Sequence, residues 1–180
     1  MSSSDLFMHY VSTIEEAQNL IARHDKFWVS NCGCRENGSG CKQSRIDVCL
    51  MFSADGGSSG SNMHEITKTE VDAILQEAII SKLVARPFKN DDFTDTDGIC
   101  FCCQDCCGYF LDSNEICNKG KLIEKTDFDL CINCGLCVTS CYFGVRAIEN
   151  GLAVIDNDNC YGCGLCIREC PVQGISMVAR

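Results

Sequence analysis

Eight cysteines near the C-terminus constrain this chain more than any other feature. They fall into two runs, Cys131-x2-Cys134-x2-Cys137-x3-Cys141 and Cys160-x2-Cys163-x2-Cys166-x3-Cys170-Pro171. The runs are an internal repeat, because Cys-x-x-Cys-Gly-Leu-Cys occurs at 131–137 and again at 160–166. Three thiolates two residues apart let a short looped backbone wrap one iron–sulfide cube and reach three of its irons. The fourth cysteine lies beyond a turn and faces away. Gly135 and Gly164 share one slot of the repeat, where a missing side chain lets the backbone approach inorganic sulfide. Between the runs, Asn150-Gly151 separates two short apolar segments, which signals a tight hairpin. Zinc is the competing occupant, since adjacent Cys-x2-Cys pairs also make zinc sites. The doubled three-plus-one spacing favours iron–sulfur.

On these motifs, residues 127–180 resemble a bacterial-type ferredoxin with two [4Fe–4S] clusters. The resemblance implies crossed ligation, the fourth cysteine of each run serving the other cluster. One cluster then takes Cys131, Cys134, Cys137 and Cys170, and the other takes Cys160, Cys163, Cys166 and Cys141. It also implies a two-fold pseudo-symmetric unit with one short helix after each loop. Its expected core is Leu136, Val138, Val145, Ile148, Val154, Ile155, Leu165, Ile167 and Ile175. Tyr142 departs from the pattern, standing where a proline follows the fourth cysteine, whereas Pro171 keeps it. The change concerns the turn and not the ligands.

The other ten cysteines precede residue 127. A plain ferredoxin does not need them, and a short secreted chain so rich in cysteine would suggest disulfides. The N-terminus has no basic region followed by a long apolar run, so no secretory leader is expected. No stretch reaches membrane-spanning length. The expected setting is a reducing cytoplasm, with cysteine used for metal. The net charge of −10 disfavours nucleic acid and suits a redox partner with a basic docking face.

Along the chain, residues 12–24 predict an amphipathic helix opened by a Thr13/Glu16 capping box. Residues 26–30 predict a short strand. The first cysteine group follows: Cys32 and Cys34, then Cys41 in a Gly/Ser-rich loop, then Cys49 inside the apolar stretch 46–52. Arg35, Lys42 and Arg45 form a local basic cluster that could offset thiolate charge or hold an anion, but is expected first as a solvated mixed face. Residues 55–62 predict an exposed loop. A second helix follows, with Thr67/Glu70 as its capping box and Val71, Ile74, Leu75, Ala78 and Ile79 at helical spacing. Residues 82–86 predict a strand closed by Pro87. His9, His24 and His64 are isolated and expected at the surface. Residues 91–97 predict an acidic turn that lacks the glycine and terminal glutamate of a calcium loop. The second unusual group is Cys100, Cys102, Cys103, Cys106 and Cys107, with Cys117 further on. Its doubled cysteines point neighbouring thiols in different directions. One of each pair is expected to face a metal while the other packs as a small hydrophobe.

The expected fold is α+β: a C-terminal pseudo-symmetric ferredoxin-type 2[4Fe–4S] module joined to a small N-terminal α/β cysteine-rich domain. The expected segments are 1–98, a cysteine-rich connection 99–126, and 127–180. Candidate ligands for a further metal are Cys32, Cys34, Cys41 and Cys49, and secondly Cys102, Cys103, Cys106 and Cys107. The first set is favoured because adjacent pairs strain a single site. A third [4Fe–4S] cluster is the expected occupant, and zinc, which four thiolates also satisfy, is the runner-up. The leading function is low-potential transfer of single electrons through two saturated clusters. The alternatives are an iron–sulfur enzyme or reductive activator whose N-terminal site the ferredoxin part feeds, and a thiol-based sensor. Whether the chain is an enzyme stays open, and no nucleotide loop or Ser/His/Asp constellation is present.

Overall fold

The computed structural model describes residues 8–38, 40–57, 60–112 and 117–180. The N-terminal residues 1–5 and the loop residues 58 and 59, read above for a leader and an exposed loop, lie outside the described residues. The fold mixes helices and strands. Its N-terminal half is a five-stranded antiparallel sheet of order β3-β1-β2-β5-β4. The strands are β1 (Phe27–Ser30), β2 (Cys49–Met51), β3 (His64–Ile66), β4 (Val84–Lys89) and β5 (Thr96–Cys102).

Two helices cover one face. Helix α1 (Ile14–Ile21) opens with the expected capping box, in which the Glu16 N–H donates to Thr13 Oγ1 at 3.1 Å. A shorter helix, α2 (Gly33–Asn37), carries Cys34 and Arg35. The long helix α3 (Lys68–Ile80) repeats the capping device with Thr67 and Glu70. Ile14, Ala17 and Ile21 of α1 and Val71, Ile74, Leu75 and Ala78 of α3 pack onto Phe27, Val29, Leu50, Ile99 and Phe101 of the sheet. Each large aliphatic chain buried this way contributes about 1.5–3 kcal/mol.

Strand alternation sends the intervening residues to the opposite face. There the cross-strand register runs Ser30, Cys49, Cys100, Arg86. Cys102 follows Cys100 two residues on, so three cysteines and an arginine share the face that the helices leave.

The sheet corrects several expectations. The strand predicted at 82–86 does not stop at Pro87 but runs to Lys89. Pro87 is tolerated because its main chain faces the sheet's outer edge, where its carbonyl accepts the Tyr10 N–H at 3.1 Å. Residues 8–12 lie along that edge and cover it, pairing His9 with Phe88 and Ser12 with Ala85. His9 is therefore half-buried rather than a surface histidine, and His24 stacks on Phe52 at 4.0 Å. His64 is exposed. Strand β5 runs through residue 98, so that segment boundary falls inside the sheet.

The C-terminal part holds two small sheets. Strand β6 (Leu122–Thr126) pairs antiparallel with β9 (Ile175–Ala179). Strands β7 (Arg146–Glu149) and β8 (Leu152–Ile155) form the expected hairpin, with Asn150 and Gly151 at φ 50° and 82° in its turn. A one-turn helix α4 (Gly108–Leu111) precedes β6, and helices α5 (Leu136–Thr139) and α6 (Leu165–Glu169) follow the two cysteine loops. Val145, Leu165 and Ile175 are buried as expected, but Leu136, Ile148 and Val154 are exposed. So few layers stack here that only one side of each short element meets another.

The halves meet through an aromatic seam of Tyr109, Phe110, Tyr142, Phe143 and Tyr161, packed with Val11, Val84 and Leu165. Phe143 and Tyr161 stack at 4.5 Å, and Phe110 meets Tyr142 edge-on at 5.8 Å.

Candidate metal centres

In the C-terminal part each cysteine loop closes on a glycine in the left-handed region, Gly135 at φ 76° and Gly164 at φ 75°. Each caps the N-terminus of the short helix that follows. Cys131, Cys134, Cys137 and Cys170 line one cavity together with Arg146 and Gly174. The Gly174 N–H donates to Cys170 Sγ at 3.2 Å, and Arg146 Nη1 donates to Cys137 Sγ at 3.4 Å. Arg146 is itself buried and paired with buried Glu124. Cys134 is exposed, at the module's outer end.

The other four cysteines lie towards the N-terminal half. Cys160 and Cys166 are buried, and Cys163 packs in the aromatic seam. Burial pushes the Cys163 thiol up to about 12, and the negative charges of Cys166, Cys141 and Cys160 push the same way. Cys141 is thus electrostatically a neighbour of this set. Tyr142, where the family has proline, accepts a 2.7 Å hydrogen bond from Gln43 Nε2 in the N-terminal half. Its hydroxyl feels both Cys103 and Cys163.

The ten N-terminal cysteines are not gathered as the sequence suggests. Cys32, Cys34, Cys41 and Cys49 are divided among three places. Cys41 Sγ lies 3.4 Å from Cys103 Sγ, which lies 3.4 Å from Cys106 Sγ, and all three sulfurs fall within 4.8 Å of one another. Cys34 contacts Cys32 and Cys107, and Cys107 contacts Cys102. Cys49 faces Cys100 across the strands, with sulfurs 3.6 Å apart. The doubled cysteines explain the division. Cys102 and Cys107 join Cys34, while their neighbours Cys103 and Cys106 join Cys41. Neighbouring thiols do point in different directions, and Cys103 is at the same time part of the hydrophobic core, with Cys106 packed against it. Strand alternation sends Cys102, the last residue of β5, and Cys103 after it to opposite sides, while Cys106 and Cys107 lie in the turn before α4.

Two buried arginines, Arg35 and Arg86, supply positive charge to these groups. Arg35 is buried, not part of a solvated face. It donates to the Arg45 carbonyl and, at 3.0 Å, to the Phe101 carbonyl, and its charge faces Cys32, Cys41 and Cys106. Arg86 is buried on the cysteine face and lies over the Tyr109 ring at 4.8 Å. Among the described residues its Nε and Nη1 find no hydrogen-bond partner. Burial works against its charge, but Cys102, Cys100, Cys107 and Cys117 outweigh burial and hold it above the usual arginine range. Hydrogen bonds from Cys107 and Cys32 hold Cys34 far below the usual thiol range. Cys102 is lowered to about 7, chiefly by its hydrogen bond with Cys107. A thiol held low beside a buried guanidinium has thiolate character. Cys100, Cys117 and Arg86 carry one sequence signal, the alternation of Cys100 and Cys102 about Phe101.

Residues 125–177 match the family model of the 4Fe-4S dicluster domain, so an iron–sulfur, ferredoxin-type domain is present there. The match covers less than a third of the chain. No curated protein matches the chain. Among the described residues no helix is long and apolar enough to cross a membrane.

Proposed function

We propose that the C-terminal domain holds two [4Fe–4S] clusters with crossed ligands in a pseudo-symmetric module, and that it passes single electrons at low potential. The observation that carries this reading is the placement of Cys170. It lines the cavity of Cys131, Cys134 and Cys137, while Cys141 lies with Cys160, Cys163 and Cys166. All-cysteine coordination gives substrate no open position, so such clusters store and pass electrons. The first cluster, with exposed Cys134 and the exposed Asp127 and Asp129 nearby, takes electrons from a partner with a basic docking face. The second cluster faces inward. Cysteine used as thiolate at this density fits a reducing cytoplasm.

A second reading is favoured by Tyr142, whose hydroxyl feels the charges of both Cys103 in the N-terminal half and Cys163 in the second cysteine loop. In it, the dicluster part feeds a further metal-bearing centre in the N-terminal part, making the chain an iron–sulfur enzyme or reductive activator. The segments 1–98, 99–126 and 127–180 then become a thiol-bearing sheet, a cysteine turn with its connection, and the electron-delivery module.

Anaerobically purified full-length protein tests the first reading. It should hold about eight cluster irons, bleach with dithionite and show paramagnetic centres that interact. A fully loaded protein that neither bleaches nor gives such signals overturns it.

A further inference from the structure

We propose that Cys41, Cys103 and Cys106 bind a single zinc ion as a mononuclear thiolate centre, charge-balanced by the buried guanidinium of Arg35. The proposal rests on the reading above only in that the N-terminal half carries metal.

Spacing separates a single ion from a cube. With Zn–S bonds of about 2.3 Å and tetrahedral angles, thiolates on one zinc stand about 3.8 Å apart. Thiolates on different irons of a cube stand much further apart. The contacts of 3.4 Å from Cys103 to both Cys41 and Cys106 match one shared ion. Among the described residues, these three are the group whose ligand atoms all lie within 4.8 Å.

The surroundings are built for such a centre. Cys103 is fully buried, and Cys41 and Cys106 are half-buried. The loop bearing Cys41 is tied to the turn bearing the other two, because the Lys42 N–H donates to Asp105 Oδ2 at 2.8 Å. That bond sets the three sulfurs before an ion arrives, as outer partners of metal ligands do. Three thiolates and a dication leave one negative charge, and Arg35 supplies one positive charge beside Cys41 and Cys106. Among the described residues buried Arg35 Nε finds no hydrogen-bond partner, an arrangement that asks for negative charge nearby. Three protein donors also leave the fourth tetrahedral position to a solvent or substrate donor, the ligand count of reactive rather than purely structural zinc.

The test is zinc, iron and sulfide analysis of the desalted full-length chain, loaded with zinc alone after its clusters are in place. Wild type, Cys41→Ser and Cys106→Ser are compared, with Cys100→Ser on the strand face as control. Both chosen positions are half-buried, so the variants keep the sheet, and circular dichroism checks this. Wild type and Cys100→Ser should hold one zinc per chain. Cys41→Ser and Cys106→Ser should each lose it while iron and the dithionite-bleached absorption stay unchanged. Zinc retained in both variants overturns the site. Loss of iron together with sulfide overturns the single ion in favour of a cluster. Failure of the dicluster reading would show separately, as absent bleaching in wild type.

Discussion

Arg146 Nη1 donates to Cys137 Sγ at 3.4 Å while Nη2 of the same guanidinium pairs with buried Glu124 and bonds Thr126 Oγ1 at 3.1 Å. One cation therefore touches a proposed ligand of the first cluster, and the charge of Cys166 in the second loop also reaches it. A positive charge and an N–H···S bond both favour the reduced, more negative cluster. Arg146→Gln should lower the midpoint potential of the first cluster. A loss of about 1.4 kcal/mol corresponds to about 60 mV for one electron. Because the substitution also leaves Glu124 buried without its partner, it should destabilise the fold by roughly 3–5 kcal/mol. The double variant Arg146→Met with Glu124→Met removes the pair and regains stability. Potentiometric titration followed by electron paramagnetic resonance reads the shift, and an unchanged or raised midpoint would reduce Arg146 to a packing role.

Gly162 and Gly144 separate two costs of the same substitution. Both sit in the left-handed region, at φ 81° and 66°. A Cβ on Gly144 meets nothing within 4 Å, whereas one on Gly162 would lie 2.2 Å from the Leu122 carbonyl oxygen. Gly144→Ala should cost about 1–2 kcal/mol from conformation alone. Gly162→Ala should cost more, because the loop bearing Cys160 and Cys163 must move off β6. Denaturant unfolding under argon gives the difference. Equal losses would mean that the loop yields freely at β6.

Tyr142 should matter to the seam and not to the clusters. Tyr142→Phe removes the bond from Gln43 and should cost about 0.5–1.5 kcal/mol. Tyr142→Pro restores the family's turn residue and should keep the irons of the domain, yet speed amide exchange around residue 43 and along the seam. Hydrogen-exchange mass spectrometry of the full chain measures this. Exchange equal to wild type would show that the halves are held elsewhere.

The sequence disclosed what depends on local chemistry. Both capping boxes, the Asn150-Gly151 hairpin and a helix after each cysteine loop follow from short patterns, and all are present. What it hid depends on which face a residue takes once strands pair. Strand β5 was masked by the acidic residues before it and by Gly98. That glycine is needed because a Cβ there would lie 2.4 Å from the Phe88 ring. Without β5, Cys100 and Cys102 have no assigned side, and Arg86 has no reason to be buried among thiols. The strain of adjacent cysteines at one site then favoured Cys32, Cys34, Cys41 and Cys49 as one set, although the fold brings Cys41 to residues 103 and 106. Tyr142 was legible as a departure from the ferredoxin pattern, but its meaning lay in Gln43, far away along the chain.

The doubled cysteines have a consequence for the order in which the N-terminal half is assembled. Cys102 and Cys103 belong to different thiol groups yet share a peptide bond, as do Cys106 and Cys107. Whatever clamps Cys103 and Cys106 also freezes the backbone on which Cys102 and Cys107 stand. The second group then stands on chain whose entropy is already largely lost, so order passes from one group to the other through the backbone itself. Stripping zinc from the first group should therefore loosen the second, because the two groups share their backbone.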